Sequence, residues 1–126
     1  MPTVAPEEQL ARFLFDKKEI RSDGSLHWRA LLPNRDGETS VSRIAGCEEG
    51  EILIMGFGVA RARARGQILI GRGEVLASSA YDPSLNIRAD NDPASRHADI
   101  IGWPEEKDRK QAIAIDLADK ATAKKL

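Results

Sequence analysis

Arg96-His97-Ala98-Asp99-Ile100-Ile101-Gly102-Trp103-Pro104 is the stretch around which the rest of the chain is organised. It joins a His, two charged side chains, an apolar pair, a Gly, a Trp and a Pro. Such a mixture is neither a repeating core pattern nor a solvated charge run. In a strand, His97 and Asp99 point to the same side. Pro104 disfavours helical geometry at Trp103, so the chain should arrive extended and then enter a helix. Pro104-Glu105-Glu106 begins it, Ile113, Ala114, Leu117, Ala118 and Ala121 form one stripe, and Lys120, Lys124 and Lys125 sit near its end, where cations suit the dipole. This predicts a terminal helix over 104–122.

Upstream, Pro6-Glu7-Glu8 resembles another helix start, and Leu10, Phe13 and Leu14 follow at helical spacing with Arg12 off the stripe. A short helix over 6–15 is expected. Leu26, Trp28, Ala30 and Leu32 alternate with His27, Arg29 and Leu31, Pro33 to Gly37 is turn chemistry, and Thr39 to Ile44 can return. This predicts a hairpin over 26–44. Ile52, Met55, Val59 and Ala62 fit a helix over 49–65, with a buried strand at Ile52-Leu53-Ile54-Met55 as the alternative. Gln67 to Ala77 reads as a strand with a bulge or tight bend at Gly71-Arg72-Gly73. Residues 78–95 are a turn-rich connection with one short strand at Leu85 to Arg88.

The expected fold is α+β. One domain, 1–126, carries a small, mainly antiparallel sheet of about three to five strands. About three helices flank it (N-terminal, central and C-terminal), and residues 1–5 and 123–126 are loose. A chain of 126 residues is long enough to bury a core without staples. The single cysteine, Cys47, excludes an intrachain disulfide and a Cys-rich zinc site, and points to a reduced, cytoplasmic setting. A net charge of −1 gives no global field toward nucleic acid or anionic lipid. Neither a signal peptide nor a bilayer-spanning run is read in the sequence, so no membrane partner is expected.

His97 is the leading candidate for chemistry. Asp99, or Asp90 or Asp92 in the adjoining connection, can orient it as a general acid or base; the alternative is a His that hydrogen-bonds loop backbone. Arg96 is a candidate anion contact. Trp103 is expected to pack across the helix start, with an exposed stacking platform as the alternative. Arg61, Arg63 and Arg65, with Arg72 nearby, are candidates for a phosphate or nucleic-acid patch. Gly56-Phe57-Gly58 fails as a dinucleotide fingerprint because Arg61 replaces the third Gly, and Gly66 to Gly73 lacks the Lys-Ser/Thr of a P-loop. His27 and His97 show no recognised ligand spacing, so no metal and no cofactor are expected.

The run His97-Ala98-Asp99-Ile100-Ile101-Gly102-Trp103-Pro104, with the Ala/Leu-rich helix after it, resembles the C-terminal signature of small uncharacterised bacterial proteins. Ala11-Arg12-Phe13-Leu14-Phe15 and the strand pair extend the likeness over most of the chain. The resemblance implies a stand-alone bacterial domain with 96–104 as its hallmark, and assigns no activity or residue role. The expected function is a non-enzymatic binding or regulatory module. It would act on a protein or nucleic-acid partner through 78–103 and the Arg61–Arg72 region, and self-association is compatible with it. The alternative is a small hydrolase or phosphate-directed transferase using His97.

Overall fold

The structure, a computed structural model, describes residues 4–63, 67–89 and 96–126. Its strands are β1 (Gln9–Leu14), β2 (Thr39–Arg43), β3 (Gly71–Leu76), β4 (Asn86–Ala89), β5 (His97–Ile101) and β6 (Thr122–Lys125). Its α-helices are α1 (Glu49–Ala62), α2 (Ala77–Tyr81) and α3 (Lys107–Lys120). The strands form one antiparallel sheet in the order β4-β5-β2-β1-β3-β6. The fold is α+β, as the sequence predicts.

Strand β1 explains the architecture and corrects the helix expected over 6–15. Leu10 and Leu14 face one side of the sheet, Ala11 and Phe13 the other, and all four are buried. An apolar run buried on both faces fits a period of 3.6 as well as a period of 2. Glu8 is not in a first helical turn. Its carboxylate accepts from Ala5 N at 2.9 Å and takes the Arg43 guanidinium at 3.0 Å through both oxygens. That bond, more than any other influence, holds the Glu8 carboxyl below its ordinary value of 4.5, against the opposing effect of burial. A depressed carboxyl stabilises the fold above its unfolded pKa, and the contribution is lost as pH falls through the folded value. Glu8→Gln is therefore expected to cost about 1 kcal/mol at neutral pH. The difference from the parent should vanish in acid, as checked by urea denaturation across a pH series.

One sheet face carries Leu10, Leu14, Val41, Val75, Ile87, Ala98 and Ile100. It is closed by Leu117 and Ala118 of α3, Ala77 and Ala80 of α2, and the short 3-10 turn Trp28–Leu31. Ile100 and Leu117 are fully buried, each worth roughly 1.5–3 kcal/mol of transfer free energy. The other face holds Ala11 and Phe13 beneath Ile52 of α1, with Ile44 and Leu69 alongside. Helix α1 packs onto this face through Ile52, against Ala11 and Phe13 of β1.

The hairpin expected over 26–44 is half wrong. Residues 39–43 are a strand, but they pair with β1 and β5. Residues 28–31 form the 3-10 turn, capped by His27, whose Nδ1 accepts from Arg29 N at 3.0 Å. Leu26 forms an isolated antiparallel bridge with Ile20, while Ala30 and Leu31 are buried from the 3-10 turn. Thr39 Oγ1 donates to Leu31 O at 2.9 Å and pins the turn to β2.

The helix favoured over 49–65 is α1, which ends at Ala62. Strand β3 has no bulge, since its register with β1 and β6 runs without a slip. Its glycines instead admit a neighbour: a Cβ on Gly71 would stand 2.4 Å from the Lys124 carbonyl oxygen. The short strand expected at 85–88 is β4, whereas α2 was not anticipated. The terminal helix is α3, beginning three residues past Pro104. Gly102, at φ +87°, makes the bend after β5 in a conformation that favours Gly. Residues 123–126 are not loose, because β6 pairs with β3 and Leu126 N donates to Ile70 O. Val4 is likewise core, so of the N-terminal segment expected to be loose only Met1 to Thr3 lie outside the described residues. Among the described residues, no helix is long and apolar enough to cross a membrane.

Candidate anion-binding cleft

Strand β5 sorts its residues by alternation. Ala98 and Ile100 enter the core, and His97 and Asp99 emerge together on the opposite face. His97 Nε2 and Asp99 Oδ1 are in hydrogen-bond contact at 3.0 Å. The cross-strand partners of this pair are Ser42 and Ser40. Ser40 Oγ donates to Asp99 Oδ1 at 3.2 Å, and Arg88 Nη2 donates to Asp99 Oδ2 at 3.2 Å. Arg88 also pairs with Glu38. Asp99 is thus contacted by Ser40, Arg88 and the His97 ring, and its position fixes the orientation of that ring.

Strands β1 and β2 pair only at Leu10–Arg43 and Ala11–Ser42. Arg12 spans the space where pairing stops, donating from Nε to Ala30 O at 3.1 Å and from Nη1 to Ser40 O at 2.9 Å. From the far side, the end of α1 lays the Arg63 guanidinium 4.4 Å from the Phe15 ring centroid, a cation–π contact. Between α1 and the sheet lies a cleft of about 250 Å³ lined by Arg12, Arg63, His97, Ser40, Ser42 and Phe15, among others. Burial, and after it the charge of Arg63, lowers the Arg12 pKa from its ordinary value. Two guanidinium groups repelling each other in a partly dry cleft are arranged as an anion would have them.

Of the residues singled out by the sequence, the structure brings His97, Asp99 and Arg63 together here. Arg61 is exposed on α1 and is not among the cleft-lining residues. Arg65, Asp90 and Asp92 lie outside the described residues. Arg96 enters β5 with φ +50° and donates to Ala45 O at 3.4 Å, outside the cleft lining. Arg72 is corrected as a patch residue. It is 5% exposed and bound at 2.7 Å by Glu74 and, through both Nη atoms, by Glu49. Glu49 begins α1 and Arg63 caps its end, so a helix ~21 Å long separates the Glu49 end, where Arg72 is held, from Arg63. Trp103 is half-buried against the core, which disfavours the stacking platform. Its buried Nε1 has no partner among the described residues.

Sequence reasoning missed Arg12, Ser40 and Ser42. The signal for Arg12 is a charge inside the apolar run Leu10-Ala11-Arg12-Phe13-Leu14. Such a residue in a central strand needs backbone acceptors. Among the described residues, no group of three or more His, Cys, Asp or Glu could hold a metal ion. Compared with protein-family models, with curated proteins and with solved structures, the chain matches none.

Proposed function

We propose that the chain is a binding module that receives one anionic group, a phosphate or carboxylate, in the cleft between α1 and β2–β5. The observation that carries this reading is the convergence of Arg12, Arg63 and His97 on one concavity with the Ser40 and Ser42 positions beside them. At about 250 Å³ the cleft is just below the ~300–1,000 Å³ of drug-sized ligand pockets, which suits a small anion or one group of a larger partner. A nucleic-acid backbone is the weaker ligand, because it needs a track of spaced cations and Arg72 is withdrawn from any such row. The favoured partner is a protein or small molecule presenting a single anionic group. The cytoplasmic, bacterial setting belongs to the same proposal.

The His97–Asp99 contact favours a second reading, a phosphate-directed hydrolase in which His97 moves a proton. A thermal-shift series with inorganic phosphate, phosphorylated metabolites, carboxylates and short oligonucleotides tests the binding reading. A ligand at ~100 times its Kd adds about 2.7 kcal/mol, a rise in Tm of several degrees. The rise should be lost in Arg63→Ala, a substitution at an exposed position. No shift with any anion, or an equal shift in Arg63→Ala, contradicts it. Turnover of a phosphomonoester by the parent but not by His97→Ala would move the conclusion to the hydrolase.

A further inference from the structure

The outer face of α1 is apolar where a helix lying on a sheet ordinarily turns polar residues to water. Ile54 is 74% exposed and Phe57 is 47% exposed. At 3.6 residues per turn, Gly50, Ile54, Phe57, Gly58 and Arg61 share this side, opposite the buried Ile52 and Gly56. Gly58 is exposed and a Cβ built on it meets nothing within 4 Å, so one turn beyond Ile54 the helix surface carries no side chain and is open to an approaching group. Acids stand at the start of the helix and basic residues at its end, with Glu51 and Arg61 both exposed.

We propose that this face pairs with the same face of a second copy of the chain, α1 antiparallel to α1 about a two-fold axis. The pairs 54/58 and 51/61 are both centred on position 56. One antiparallel register therefore seats Ile54 of each copy over Gly58 of the other and brings Glu51 of each to Arg61 of the other. Each contact occurs twice, as an isologous interface requires. Glu51 uses Oε1 to accept from Glu48 N at 2.9 Å in the helix cap, which leaves its second oxygen for the arginine. A parallel pairing would instead oppose Glu51 to Glu51 and Arg61 to Arg61, so charge selects the antiparallel form. One helix face buries less than the ~800 Å² per partner of a standard interface, and the dimer is therefore concentration-dependent rather than obligate. Arg63 lies on the opposite side of the helix, against Phe15, so the pairing stands independently of the anion cleft.

Sedimentation velocity over a broad concentration series tests the pairing. The mass should rise from 13.8 kDa toward twice that value. Ile54→Glu should raise the dissociation constant at least roughly tenfold. Glu51→Arg and Arg61→Glu should each weaken the dimer several-fold, and the double variant should restore it. Circular dichroism checks that each variant keeps the parent fold, with Phe57→Lys as a second variant of the same face. A mass of 13.8 kDa at every concentration overturns the proposal. So does a dimer indifferent to both apolar-face variants, or a double charge variant no better than either single one.

Discussion

Arg12→Met is expected to lower the stability of the fold by about 2–4 kcal/mol. Arg12 supplies donors to the carbonyls of Ala30 and Ser40, and β1 and β2 do not pair there to replace them. Hydrogen bonds from a charged donor contribute about 1.5–3 kcal/mol each, and an orphaned buried acceptor costs about 1–3 kcal/mol. The full sum is not reached, because burial and the charge of Arg63 already disfavour the protonated guanidinium, and Met removes that penalty. Arg12→Lys should recover only part of the loss, since one ammonium cannot reproduce the fixed fork of a guanidinium. Urea denaturation reads both values. A loss below about 0.5 kcal/mol for Arg12→Met, the range of an ordinary surface substitution, would mean that the β1–β2 gap is not held by this side chain.

Arg72→Leu is expected to cost about 2–3 kcal/mol, despite adding an apolar residue to a buried position. Removing one partner of a buried ion pair usually costs about 3–5 kcal/mol, because the remaining charge is left uncompensated. Here the figure is smaller for two reasons. The Glu49 side chain is 62% exposed and returns to water, and Glu74 keeps Lys124 at 3.5 Å. The double variant Arg72→Leu, Glu74→Leu should recover most of the loss, since an apolar pair can replace a buried ionic one. Denaturation midpoints of the two single variants and the double variant check this coupling.

These two arginines show what the sequence could and could not disclose. Arg72 and Glu74 stand two apart in a strand, so their shared face was legible. Its second partner, Glu49, comes from the first turn of α1, and no local pattern announces it. Arg12 was visible as a break in an apolar run, but its role depends on β1 and β2 parting after two residue pairs. The His97–Asp99 pairing was legible because a spacing of two is a statement about geometry in any strand. Helices α1 and α3 were legible because an apolar stripe persisted over several turns. Strand β1 was not, since a segment buried on both faces has no distinguishing period. Strand β6 carries the sequence Thr122-Ala123-Lys124-Lys125, and its strand character comes from the edge of β3, whose Gly71 lets the Lys124 backbone close in.

The most direct test of the anion cleft is a titration of the 15N-labelled protein with inorganic phosphate, followed by NMR at the backbone amides and at the arginine Nε–H groups. Binding at the cleft should move Arg12 Nε, Arg63 Nε and the amides of Ser42 and His97 together, saturating with one Kd, while Arg72 Nε stays still within its carboxylates. Shifts that never saturate, or that centre on Arg61, Arg88 or Arg96 instead, would contradict the cleft as the site of binding.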